Sequence, residues 1–225
     1  MHAVVVSLTV HSAFMYMGIV QNGYATSFFT PTILKQLGWT SVRAQIMSIP
    51  IFVTATVFAL TTAYLTDRLK HRFSFIIIGC LIATSGYGIL INSRHVHVGT
   101  RYFALYLITV GGYIAQPVII VWLSNNLGGH YKRGVGSAMQ ISIGNLGGVV
   151  ASNVYLRKEL PYYNTGFRVG LAFLWITVLM AVAFLLYLRR ENKLRSAGKR
   201  DDRYDLPDGT KANMGDDHPS FRFTY

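Results

Sequence analysis

The chain has 225 residues, 52% of them hydrophobic and 13% charged, with a net charge of +12; soluble domains average about 25% charged residues. A nucleic-acid-binding module is excluded, because a basic face for phosphates needs Lys and Arg clustered on one wet surface. Here they sit in short gaps between apolar runs, and nine of the 21 lie beyond Leu188.

The acids are more uneven. Asp67 and Glu159 are the only two before Arg190, and the other seven follow it. A surface facing lipid needs no charged groups, whereas a wet one does. Residues 1–188 therefore read as a transmembrane domain and 189–225 as an aqueous tail. Crossing the hydrocarbon core takes about 20 mostly apolar residues.

The first run, 3–28, lacks the basic start and small-residue cleavage site of a signal peptide and is too long for one, so it reads as a spanning helix. It carries His11, Gly18 and Asn22 on one stripe and Thr9, Ser12, Tyr16, Gly23 and Ser27 on another. A two-sided helix of this kind suits a position between packed neighbours. The second run is 44–65. The third, 73–91, holds the single cysteine, Cys80, so neither an intramolecular disulfide nor a thiol-based metal site is available. His95 and His97 in the following loop read as solvated side chains rather than a metal pair.

The fourth run, 102–123, has Gly111, Gly112, Gln116 and Pro117 near its centre. These residues weaken a helix, and two readings stay open: a plain kink, or a break beside a binding site. In the fifth run, 134–156, Ser142, Asn145 and Ser152 share one face at 100° per residue, with Val149 between them. Gly144, Gly148 and Ala151 form the opposite face, a small-residue surface on which another helix can pack closely. The sixth run is 167–188. Expected, then, is an all-α polytopic membrane protein, a six-transmembrane-helix bundle.

An even number of spans puts both termini on one side. With the N-terminus inside, 14 basic residues lie inside and seven outside. The loops alone count five against seven, so the cluster Arg189, Arg190, Lys193 and Arg195 decides for cytoplasmic termini. The tail, mixed in charge and without apolar periodicity, is expected to be largely disordered, its basic start near anionic headgroups.

There is no phosphate loop, GxSxG, HExxH or carboxylate pair, so no enzyme, cofactor or metal site is expected. What remains are polar groups inside spans, each costly unless partnered or facing an aqueous cavity. Tyr16, Asn22, Gln116 and Asn145 are the candidates for substrate hydrogen bonding. Asn145 serving only helix packing stays an equal alternative. No Asp or Glu lies deep in a span, and His11 is the one intramembrane candidate for proton coupling.

Ala63-Tyr-Leu-Thr-Asp67-Arg68-Leu-Lys-His-Arg72 resembles the loop signature of the major facilitator superfamily, G-x-L-[AST]-D-[RK]-x-G-x-[RK], with Ala63 and Lys70 in place of its glycines. Longer stretches narrow the likeness: residues 27–38, Trp122 to Asn126 with Lys132-Arg133, Gly144 to Gly148 leading to residues 161–167, and the ending 217–223. All are similar to the fungal anion:cation symporters of the allantoate permease group, in order along nearly the whole chain.

The resemblance implies the C-terminal six-helix half of a twelve-helix plasma-membrane carrier. It implies symport of a small organic anion (a carboxylate, vitamin or ureide) with a cation such as the proton, by alternating access. Asp67, Arg68, Arg72, Gly144 and Gly148 would be motif residues. The partners implied are the lipid bilayer and either the missing N-terminal half or another carrier chain. Met1 falls where the seventh helix should begin, which suggests a truncated gene. The alternative is a non-transporting remnant or regulatory membrane protein that associates with a full-length carrier.

Overall fold

The computed structural model describes residues 2–93, 96–155, 159–160, 162–201 and 214–225. The readings that fell on Met1, Arg94, His95, Arg157, Lys158, Pro161 and 202–213 lie outside the described residues. Regular structure among the described residues is helical throughout. It comprises α1 (His2–Gln36), α2 (Ser41–Leu69), α3 (Arg72–Ile91), α4 (Val98–Asn125), α5 (His130–Gly144), α6 (Leu146–Val154) and α7 (Asn164–Ser196), with a 3-10 turn at Gly215–Asp217. Helices satisfy their own backbone groups, which lipid cannot do. α2, α3, α4 and α7 are each long and apolar enough to cross a membrane. The protein is an all-α polytopic bundle.

Counting α5 and α6 as one interrupted rod, six helical rods stand together. α1 is the central one, packed on α4, α5, α6 and α7, while α3 lies on α4 and α7 and α2 lies mainly on α4. The pairs close where small residues meet. A Cβ on Gly79 of α3 would stand 2.6 Å from the carbonyl oxygen of Gly111 in α4, so those backbones touch. α2 is peripheral and presents Val42, Val53, Val57 and Leu60 outward, as a lipid-facing helix does.

The helices run longer than the apolar runs that signalled them. α1 continues past Phe28 through Pro31 to Gln36, because Ile33 and Leu34 beyond the proline are buried. One lost N–H bond is outweighed by that burial. α7 runs eight residues past Leu188, because Glu191 and Arg195 are buried under the end of the chain. The tail also departs from the expected disorder in its last twelve residues. Residues 214–225 pack on the bundle, with Asp216, Asp217 and Phe223 at most 3% exposed.

The signature loop is a tight α2–α3 turn. Lys70 caps α2 in the left-handed region, φ 57°, and its N–H donates to the carbonyl of Thr66. This is one of the two positions where the signature carries glycine, the residue that adopts such a φ without steric cost. Asp67 is exposed, with 75% of its side chain accessible, and its partner is Arg72 at 3.9 Å.

Two outcomes follow for thermal melting of the purified chain in detergent. Lys70→Gly should raise Tm by about 2–4 °C, the effect of relieving about 1 kcal/mol of left-handed strain. Asp67→Asn should change stability by at most about 1 kcal/mol, as expected of an exposed pair.

Candidate functional site

α1 meets the α5–α6 rod through glycine. Gly144 abuts the ring of Tyr16, and Gly148 the ring of Tyr24; a Cβ on Gly147 would lie 2.5 Å from the carbonyl oxygen of Met17. The opposite face, with Ser142, Asn145, Val149 and Ser152, is exposed. Asn145 is the joint between α5 and α6. Its N–H donates to Ile141 O at 2.9 Å, and its carbonyl accepts from the N–H of Gly148, three residues on, at 2.9 Å. The shorter loop of that second bond tightens the rod by one 3-10 step.

Beside this joint lies a cavity of about 230 Å³ between α1, α4 and the α5–α6 rod. Tyr16, Val20, Gly23, Tyr24 and Ser27 line it from α1, Tyr113 and Gln116 from α4, and Asn145 from the joint. It opens along Tyr24, Ser27 and Asn145, which are exposed. Among the described residues, no charged side chain lines it. The side-chain amides of Gln116 and Asn145 have no hydrogen-bond partner among the described residues. The walls therefore offer two amides, three phenols, one alcohol and the faces of aromatic rings. They can hydrogen-bond and stack on a small molecule, and among the described residues they hold no carboxylate or imidazole.

Three of the four residues singled out from sequence, Tyr16, Gln116 and Asn145, come together here. Asn22 does not. It is fully buried, its amide oxygen lies 3.2 Å from where a Cβ on Gly112 of α4 would stand, and neither amide atom has a hydrogen-bond partner. At 100° per residue, one step from Asn22 to Gly23 turns from Gly112 of α4 to the cavity, where a Cβ on Gly23 would lie 3.7 Å from Gln116 Oε1. His11 is also apart from the site, its Nδ1 2.7 Å from Ser7 O and its ring stacked on Tyr187.

α4 is unbroken from Val98 to Asn125 through Pro117. Its central glycines serve packing, Gly111 on α3 and Gly112 on α1, and the interruption falls in the fifth rod instead. Sequence reasoning missed Tyr24 and Tyr113. Both carry exposed or half-exposed phenols inside apolar runs, a signal that was available.

Known proteins resemble the chain in sequence. No family model matches the chain. It is 32% identical over 216 residues to the high-affinity nicotinic acid transporter of Saccharomyces cerevisiae, covering 95% of this chain and 40% of that protein. It is 31% identical over 209 residues to the MFS-type transporter cnsO of Penicillium expansum, covering 89% of this chain and 40% of that protein. The chain is homologous to the major facilitator transporters. It is also 25% identical over 199 residues to the major facilitator-type transporter hxnP of Emericella nidulans, covering 84% and 40%. It spans about two fifths of the length of these curated relatives, which are named as transporters and not as enzymes.

Gly148→Leu should lower Tm in detergent by roughly 3–10 °C, since overpacking a close interface costs about 1–3 kcal/mol. Val149→Leu, one residue on and 61% exposed, should leave it unchanged; equal losses for both would remove the distinction between the two faces.

Proposed function

We propose that this chain is the C-terminal half of a carrier of the fungal anion:cation symporter group, and that the carrier moves a small organic anion across the plasma membrane by alternating access. The observation that carries this reading is the cavity itself. Three rods converge on it, it opens on one flank of the bundle, and it holds two amides without partners among the described residues. In a carrier built of two halves, a half-cavity open on its flank is completed by the opposing half. The yeast relative is named for nicotinic acid, a planar aromatic carboxylate whose ring suits tyrosine faces and whose polar atoms suit amides. Tyr16, Gln116 and Asn145 are the substrate-binding residues on this reading, and Asn22 stays buried between α1 and α4.

The coupling cation on this reading is the proton; among the described residues, the cavity walls hold no carboxylate or histidine. Both termini are cytoplasmic, as the 14 to seven division of basic residues favours.

Asn145→Ala in the complete carrier should cut uptake by about 10- to 100-fold at normal expression, the loss of a buried hydrogen bond of about 1–3 kcal/mol. Unchanged uptake would remove the strongest site assignment. Epitope tags after Tyr225 and beside His97 should report opposite sides of the membrane, the first accessible only after permeabilisation.

A further inference from the structure

Residues 214–225 lie on the end of the bundle that holds the α2–α3 and α4–α5 turns, and they are held there by side chains of four helices. Two asparagines read the backbone. Asn126, which caps α4, accepts from Thr224 N at 2.8 Å and donates to Thr224 O at 3.1 Å. Asn192 of α7 does the same for Phe223, accepting from its N–H at 2.9 Å and donating to its carbonyl at 2.9 Å. A side-chain amide that pairs with both backbone groups of one residue stands in for a neighbouring β-strand, and the two together hold an extended segment in register. Trp122 Nε1 also donates to Thr224 O, at 3.0 Å, and the backbone N–H of Arg72 in α3 donates to Tyr225 O at 3.1 Å.

The rest of the segment is held by charge and aromatic contact. Lys132 of α5 bonds Asp216 at 3.0 Å, Asp217 at 2.9 Å and the carbonyl of Met214 at 3.1 Å. Burial by itself would lower the Lys132 pKa; the bonds and charges of Asp217 and Asp216 outweigh it and hold the ammonium above its ordinary value. Gly128 N donates to Asp216 at 3.2 Å, and the backbones approach so closely that a Cβ on Gly128 would lie 2.0 Å from Asp216 N. Arg195 of α7 donates to His218 O and Phe221 O, each at 3.1 Å, and its guanidinium lies 4.5 Å from the centre of the Phe223 ring.

We propose that this end of the bundle is a peptide-binding site whose ligand is residues 214–225 of the same chain, and that its occupancy locks α3, α4, α5 and α7 into one body. Two buried carboxylates on one lysine, two asparagine-paired backbone units and an arginine under an aromatic ring make a site specific for an acidic turn followed by an extended aromatic end. The signature loop belongs to the same network. Arg72, which pairs with Asp67, donates its guanidinium to Asn125 once the amide oxygen of Asn125 is turned toward it, and to Thr224. α4 and the α5–α6 rod carry Tyr113, Gln116 and Asn145, so the lock fixes two walls of the cavity from one end.

The test uses the folded chain with a protease site placed within 202–213, cut after purification in detergent and washed free of the released peptide. A labelled synthetic peptide of residues 214–225 should then bind saturably. A peptide with Thr224→Pro, which lacks the N–H that Asn126 accepts, should bind at least ten-fold more weakly, as should one with both Asp216→Asn and Asp217→Asn. Hydrogen exchange in the cut and washed chain should rise at residues 122–133 and in the first turn of α3, and fall again when the native peptide is added. It should stay unchanged at the far end, residues 96–104. Absence of saturable binding at millimolar peptide, equal binding of the Pro peptide, or exchange that rises uniformly along the chain would overturn the proposal.

Discussion

The approach of α1 to the α5–α6 rod sets the geometry of everything around it. Without side chains at 144, 147 and 148, the rod lies against Tyr16, Met17 and Tyr24. In lipid there is no hydrophobic gain in bringing two apolar helices together, so close van der Waals contact between small residues has to supply the attraction. Once that face is buried, helical periodicity turns Asn145 to the other side. The same contact carries Tyr16 and Tyr24 to the cavity rim, so one interface both holds the bundle and shapes the site.

Polar groups inside the bundle divide into two kinds. Some tie helices together. Gln140 Nε2 donates to Ser12 at 2.6 Å and to Ile119 O at 3.3 Å, linking α5 to α1 and α4, and Thr177 of α7 donates to Met15 O at 3.1 Å. Others are buried on α1 without partners: Gln21 against Gly147 and Asn22 against Gly112. An unpaired buried amide costs about 1–3 kcal/mol. These two are neighbours on the central helix, directly before Gly23 of the cavity, so unsatisfied amides adjoin its open part.

A different balance holds at the end bearing residues 214–225. Asp216, Asn126 and Arg195 are as deeply buried there as the apolar core and each has partners, while Asp216 Oδ2 and Arg72 Nε have none among the described residues. Removing one member of such a network leaves its partner buried and unpaired, a loss larger than the network's net stabilisation. Short-range chemistry therefore secures this end, while small-residue packing secures the middle.

Apolar run length and charge placement were enough to assign an all-helical membrane bundle, since lipid permits few other solutions and the acids avoid the spans. Periodicity of 100° per residue was enough to separate Asn145 from Gly144 and Gly148, because that relation is local to one helix. Distance along the chain hid the rest. Asn22 and Gly23 differ by one step, and only the position of α4 decides which faces the cavity. The first apolar run stopped at Phe28, and only the burial of Ile33 and Leu34 carries α1 on through Pro31. The final segment is polar, charged and without period, so nothing local distinguishes it from a disordered tail. Its order comes from Asn126, Lys132, Asn192 and Arg195, which stand on three different elements and act together only after those elements have packed.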